Sequence, residues 1–189
     1  MLSALRQRLI EIVDPPRPDA GGLPSGIAAL DRALSDGGIP YGRLTEIVGQ
    51  RGSGKTTLAR ALATSAIQAG RWVAYVDAAR TLSPRDWAPL AEPGGLWVIR
   101  PPNADRGAWC TDVLLRSGAF GLVVLDGAPP LSRQIAVRLT HLARESNAAL
   151  VLVTEAQGML VGSAVRLRVA RGARAEGRGA RAAGRGSPL

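Results

Sequence analysis

The sequence predicts an α/β fold in which a mostly parallel sheet is flanked by helices on both faces. Short apolar runs alternate with helical segments along most of the 189 residues, as in sheets built from strand–helix–strand units. The runs lack polar alternation, which is expected of strands that are buried on both faces. Clusters of Gly and Pro separate them and mark the turns. A hydrophobic share of 46% and a charged share of 21% suit one domain with a substantial core.

The predicted elements follow in order from the N-terminus. Residues 2–13 show an amphipathic helical pattern, a Pro- and Gly-rich linker follows, and a helical turn ends near Leu34. Strands are predicted at 44–48, 72–76, 96–99, 122–125, 149–153 and 165–169, and helices at 55–69, 83–90, 106–117 and 131–146. The tail is rich in Arg, Gly and Ala without an apolar period, so we expect it to be disordered. The predicted units are a helix and linker at 1–24, a core at 25–170 and a tail at 171–189.

A glycine loop follows the first predicted strand. Residues 49–56 read GQRGSGKT and match the P-loop pattern G-x-x-x-x-G-K-[S/T] between a strand and a helix. The glycines let backbone N–H groups turn toward phosphate oxygens, and the helix N-terminus adds its dipole. A chance glycine turn is the alternative. We predict that ATP with Mg²⁺ binds to Gly49, Gln50, Arg51, Gly52, Ser53, Gly54, Lys55, Thr56 and Thr57.

Lys55 is the single lysine among 24 basic side chains. The chain uses Arg everywhere else, so this position kept a compact ammonium where a broad guanidinium does not fit. We predict that Lys55 pairs with the β and γ phosphates and that the hydroxyl of Thr56 ligates Mg²⁺.

Asp126 ends the apolar run FGLVVLD at residues 120–126, which is the arrangement of a Walker B strand. Strand ends in parallel sheets open onto the ligand crevice. We therefore expect the Asp126 carboxylate to bind Mg²⁺ through water. The alternative is an Asp that begins the turn before Gly127.

The net charge of +9 is unevenly distributed. Seven arginines and one glutamate lie at residues 166–189, so most of the net positive charge belongs to this C-terminal stretch and not to the rest of the chain. The tail is either a weak, non-specific contact for nucleic-acid phosphates or a solubilising segment.

The single Cys110 excludes an internal disulfide, and no apolar run suggests a membrane span or a signal peptide. We expect a cytoplasmic protein.

Several segments resemble RecA and its relatives, in a consistent order over about residues 1–170. The approach to the P-loop is the most specific of them: SGIAALDRAL at 25–34, then GGIPYGRLTEIVG at 37–49. VAYVDA at 73–78, LRSGA at 115–119, NAALVLVT at 147–154 and SAVRLR at 163–168 also fit. The resemblance implies a RecA-like P-loop NTPase core.

The departures from RecA concern hydrolysis and DNA binding. RecA proteins carry a water-orienting Glu two residues after the position of Asp77, where this chain has Ala79 followed by Arg80. Their γ-phosphate-sensing Gln corresponds to Glu155, with Gln157 close by. The segments that correspond to the two DNA-binding loops are very short, and no counterpart of the C-terminal domain of RecA is expected.

This combination resembles the ImuA group, short RecA-like accessory proteins of damage-inducible translesion synthesis. The resemblance implies a role in the DNA-damage (SOS) response with two partners, RecA or a RecA-like protomer and a Y-family polymerase homologue. The first helix either docks on such a protomer or packs on its own sheet. The competing function is a compact, DNA-stimulated ATPase of the recombinase type. A small-molecule P-loop kinase fits less well, because the dense arginine cluster lies in the tail.

Two further residues are candidates with open alternatives. Glu155 is a candidate catalytic base, or a solvated loop charge. Trp87 lies near the position where RecA stacks an aromatic ring on adenine, although Asp86 takes that position itself. We predict an adenine contact for Trp87, with core packing as the alternative.

Overall fold

The computed structural model describes residues 21–91, 94–155 and 163–171. Within them, six strands form one parallel sheet with helices on both faces, which confirms the predicted fold class. The strands are β1 (Leu44–Val48), β2 (Val73–Asp77), β3 (Leu96–Ile99), β4 (Leu122–Asp126), β5 (Ala149–Thr154) and β6 (Val165–Arg168). The helices are α1 (Ala28–Ala33), α2 (Lys55–Gln68), α3 (Pro84–Ala91), α4 (Gly107–Ser117) and α5 (Arg133–Glu145). None of these helices is long and apolar enough to cross a membrane.

The strand order is β3-β2-β4-β5-β1-β6, and every pair is parallel. The carboxyl ends of all six strands therefore lie along one edge of the sheet. β5 sits between β1 and β4, so the loops that follow these three strands are neighbours. This edge is the place where α/β sheets bind ligands.

The core consists of two layers, one on each face of the sheet. On one face, α2 packs its stripe Leu58, Leu62 and Ala66 against the sheet, beside residues of α3. On the other face, α4 and α5 contribute Leu115 and Leu139. The central strands are buried throughout, which explains why their sequences carry no polar alternation.

Most predicted elements agree with the structure to within two residues. The last predicted helix begins later than expected, at Arg133, because the Ser132 hydroxyl accepts a hydrogen bond from the backbone N–H of Ile135 and caps the helix. A short 3-10 turn, Ala104–Arg106, was not predicted.

The N-terminal boundary of the core lies earlier than the sequence predicted. Leu23 was assigned to the linker, but it is completely buried and its backbone exchanges two hydrogen bonds with Ile39. The predicted helix at 2–13 and the tail beyond residue 171 lie outside the described residues, as does Gln157.

Glu46 places a charge in the middle of β1. Its side chain is 2% exposed and lies directly across from Arg166 on β6, with Nε and Oε2 3.3 Å apart. A buried carboxylate loses its hydration, so the arginine is needed to compensate. The pair connects the edge strand β6 to the sheet electrostatically as well as through the backbone.

We predict that Glu46→Ala lowers the free energy of unfolding by about 3–5 kcal/mol, because it leaves the mostly buried Arg166 without this carboxylate. Urea unfolding followed by circular dichroism measures the loss. Glu145→Ala is the control: that carboxylate is 60% exposed, and we expect a change within about 0.5 kcal/mol. Equal, small losses for both variants would show that the Glu46 pair contributes nothing particular.

Candidate functional site

Residues 49–54 form a tight loop between β1 and α2. Gly52 and Gly54 have φ of +75° and +104°, in the left-handed region that favours glycine. Gly49 is required for another reason: a Cβ on it would lie 2.3 Å from the carbonyl oxygen of Val169 and 2.5 Å from Ser53 Oγ. The loop therefore packs closely against Val169, the residue after β6, and its backbone conformation requires glycine at position 49.

The N-terminus of α2 opens directly from this loop. Gly54 is the N-cap and supplies no side-chain hydrogen bond to the first turn. The Ser53 hydroxyl is buried and has no hydrogen-bond partner among the described residues. Uncapped helix N–H groups and an orphaned hydroxyl are groups that phosphate oxygens satisfy. The loop thus fits the phosphates of a nucleotide.

Lys55 is held at the mouth of the loop. Its side chain is 10% exposed, and Nζ donates to the carbonyl oxygens of Gly49 and Gln50 at 2.6 and 2.9 Å. Nζ also lies 3.7 Å from Oε1 of Glu155. Three oxygen atoms therefore lie near the ammonium, and phosphate oxygens provide the same kind of contact.

A cleft of about 590 Å³ lies beside the loop at the carboxyl edge of the sheet. It brings together several of the predicted site residues: Arg51, Gly52, Gly54, Lys55, Thr56, Thr57, Asp126 and Glu155. The rest of the wall consists of residues that were not predicted as contacts: Ala79, Thr81, Gly127, Val153 and Thr154. Gly49, Gln50 and Ser53 line a second cleft of about 580 Å³, which shares Arg51, Gly52 and Glu155 with the first.

Asp126 ends β4 and lines the first cleft, as the strand pattern predicts. Its Oδ2 accepts a hydrogen bond of 2.5 Å from the Tyr75 hydroxyl. Burial raises the pKa of Asp126; the Tyr75 hydrogen bond and the charge of Lys55 oppose this rise, while Asp77 and Glu155 add to it. A nearby cation would therefore stabilise its ionised form.

The oxygen donors at this edge fit Mg²⁺. Thr56 and Asp126 both line the cleft and offer a hydroxyl and a carboxylate, the hard ligands that Mg²⁺ prefers. No cluster of three or more His, Cys, Asp or Glu that could hold a metal occurs among the described residues. This is compatible with Mg²⁺, since that ion is usually held by one or two protein oxygens together with water and substrate phosphates.

The turn after β2 is fixed by Asp77, which is completely buried. Its carboxylate accepts hydrogen bonds from the backbone N–H groups of Thr81 and Leu82 and from Arg100 Nε, at 2.9 to 3.2 Å. Within this turn the side chain of Arg80 extends toward Pro101 and donates a hydrogen bond to its carbonyl oxygen. The turn therefore has a defined conformation.

Ala79 lies in that turn and contacts the loop after β4. A Cβ on Gly127 would lie 2.3 Å from the Cβ of Ala79, so the two loops approach each other closely. The cleft wall at this position is a methyl group, which cannot accept a proton.

The structure does not place Trp87 at either cleft beside the P-loop. Its side chain belongs to the core and is 3% exposed, with its ring centroid 4.7 Å from that of Tyr75. A ring enclosed by core side chains offers no free face to adenine, so the predicted adenine contact is corrected to core packing. The sequence did not show which face of α3 turns toward the sheet.

Glu155 follows β5 and contributes to both clefts. Its side chain is 63% exposed. Arg166, Arg168 and Arg171 line the second cleft with it. The structure thus brings Glu155 to the site as an ion-pair partner of Lys55.

Comparison with known proteins gives a consistent result. Residues 6–169 match the family model of the RecA N-terminal domain. Protein RecA of Frankia casuarinae is 37% identical over 124 residues, which is 65% of this chain and 36% of the relative. Protein RecA of Bifidobacterium longum is 39% identical over 119 residues (62% and 30%), and that of Streptomyces coelicolor 41% over 110 residues (58% and 29%). The chain spans about a third of the length of these relatives.

We predict that Lys55→Ala weakens ATP binding by about 10- to 100-fold, because a hydrogen bond to a charged group contributes about 1.5–3 kcal/mol. Equilibrium titration with a fluorescent ATP analogue measures the change. Arg133→Ala, on the opposite side of the sheet in α5, is the control and should bind normally. Unchanged affinity in a folded Lys55→Ala protein would show that the loop does not bind phosphate.

Proposed function

The chain belongs to the RecA N-terminal domain family, and we propose that it is an accessory protein that binds ATP with Mg²⁺, hydrolyses it slowly and acts through protein partners. In this proposal, ATP binding controls an interface with a partner protein, and ATP hydrolysis does not drive the function. One observation carries this proposal: the cleft holds a P-loop and a strand-end carboxylate, but Ala79 occupies the wall where hydrolysis needs a base.

Five residues that line the cleft have proposed roles. The uncapped start of α2 and the ammonium of Lys55 bind the phosphates. The Thr56 hydroxyl and the Asp126 carboxylate hold the metal, Asp126 through water. Mg²⁺ neutralises phosphate charge when it is bound. Ala79 and Gly127 form the wall at this position and supply no acceptor for the proton of an attacking water.

Glu155 connects nucleotide binding to the rest of the protein. Its carboxylate and the γ phosphate carry the same charge and compete for Lys55. Bound ATP therefore displaces the Glu155 carboxylate from the ammonium. A ligand shifts a conformational equilibrium only through such a differential interaction.

The partners are proposed from the resemblance to the ImuA group. A RecA-like protomer and a Y-family polymerase homologue are the proposed partners, in the DNA-damage (SOS) response. The arginine-rich tail is proposed as a weak contact for nucleic acid. Support for this part of the proposal comes from the absence of an acid at position 79 and from the short segments after Asp126 and Glu155.

The competing function is a working, DNA-stimulated ATPase in which Glu155 is the general base. The exposed carboxylate at the cleft favours it, since a base must reach a water near the γ phosphate. The ion pair with Lys55 opposes it, because the pair forms on the phosphate-binding group itself.

We predict negligible ATP turnover by the wild-type protein, with and without single-stranded DNA, and a rise of about 100-fold or more in Ala79→Glu, because a positioned general base contributes at least that factor. Phosphate release measures turnover, beside a binding titration for each protein. Ala79→Gln is the matched control: its side chain is of similar size but cannot act as a base, so it should stay inactive.

DNA-stimulated turnover in the wild type, abolished by both Lys55→Ala and Glu155→Gln, would contradict the accessory role. It would instead establish a compact ATPase with Glu155 as the base. Turnover that survives Glu155→Gln would exclude that residue as the base.

A further inference from the structure

We propose that Tyr75 is a positioning residue: its hydroxyl holds the carboxylate of Asp126 in the orientation that receives Mg²⁺. This inference rests on the proposed function of the cleft. The contact joins β2 to β4: the Tyr75 hydroxyl donates a hydrogen bond of 2.5 Å to Oδ2 of Asp126, which lies 51 residues later in the chain.

Tyr75 is held rigidly. It is completely buried in the middle of β2 and pairs with Val124 of β4 through the sheet register. Trp87 covers its ring from α3, with the two ring planes at 61°. A side chain fixed by backbone pairing and by an aromatic neighbour holds its hydroxyl at a defined position, so the hydrogen bond orients the carboxylate.

The Tyr75 hydroxyl is the donor of this hydrogen bond, because a carboxylate oxygen such as Oδ2 can only accept. A carboxylate has two oxygens. The tyrosine takes Oδ2, which leaves Oδ1 for a water ligand of the metal.

The chemistry of the other buried acids shows why this donor is suited to a metal site. Asp77 is compensated by a guanidinium, which makes it a poor ligand for a cation. Tyr75 satisfies one oxygen of Asp126 without bringing any positive charge. Asp126 is therefore hydrogen-bonded without being paired to a cation among the described residues, and ligating carboxylates of metal sites are generally hydrogen-bonded in this way.

The test removes one oxygen atom. Tyr75→Phe keeps the ring and its contact with Trp87 but deletes the hydroxyl. Tyr41→Phe is the matched control, because Tyr41 is the other tyrosine of the chain and its ring lies against Arg71, away from the cleft. The affinity for a fluorescent ATP analogue is measured with EDTA and with Mg²⁺, and Mn²⁺ in the bound complex is followed by electron paramagnetic resonance.

For Tyr75→Phe we expect unchanged affinity in EDTA and a loss of about 10- to 100-fold in metal affinity, together with an altered Mn²⁺ spectrum. Tyr41→Phe should match the wild type in every measurement. Asp126→Asn should lose the metal effect, and adding Tyr75→Phe to it should change nothing more, because the tyrosine acts through that carboxylate.

Three outcomes overturn the inference. The first is a folded Tyr75→Phe protein with full metal dependence. The second is an equal loss of nucleotide binding with and without metal, or loss of the fold, either of which makes the hydroxyl structural. The third is a wild-type protein that binds no ATP, which overturns the proposed function as well. Wild-type binding with a normal Tyr75→Phe variant leaves the proposed function standing and removes this inference alone.

Discussion

The position of β5 between β1 and β4 is the constraint on which the site depends. Because all pairings are parallel, the loop after β1, Glu155 after β5 and Asp126 at the end of β4 lie side by side along one edge. The phosphate loop and the carboxylate are separated by the width of an intervening strand. That spacing leaves a cleft between them, and it puts the residue that follows β5 within reach of Lys55.

Three buried carboxylates of the sheet illustrate how the surroundings of a charge decide its use. Glu46 has a guanidinium from the neighbouring strand. Asp77 has a guanidinium and two backbone N–H groups and so fixes a turn. Among the described residues, Asp126 has no ion pair and is hydrogen-bonded to a neutral hydroxyl. A partly buried carboxylate that contacts no positive charge is the one that a bound cation stabilises most.

The sequence predicted those parts of the site that are formed by residues close together along the chain. The P-loop and the strand-end Asp126 follow from short patterns whose context could be checked within about ten residues. Tyr75 contacts Asp126, and Ala79 approaches Gly127, only through the pairing of β2 with β4, which no local pattern contains. Trp87 was misplaced for the same reason: the orientation of α3 decides whether its ring meets the cleft or the core. Leu23 was assigned to a linker because its pairing with Ile39 crosses two glycine-rich turns.

A binding site without a base still changes the protein when it fills, provided that the ligand replaces an existing contact. Here the ammonium of Lys55 already has acceptors, two backbone carbonyl oxygens and the carboxylate of Glu155. The carbonyl oxygens belong to the loop and stay with it, whereas Glu155 begins the segment after β5 and has an exposed side chain. In the proposed function, phosphate oxygens compete with the Glu155 carboxylate for Lys55 and leave the two carbonyl contacts in place. The difference in free energy between the paired and released states of Glu155 would then set how strongly nucleotide binding is coupled to the release of this carboxylate.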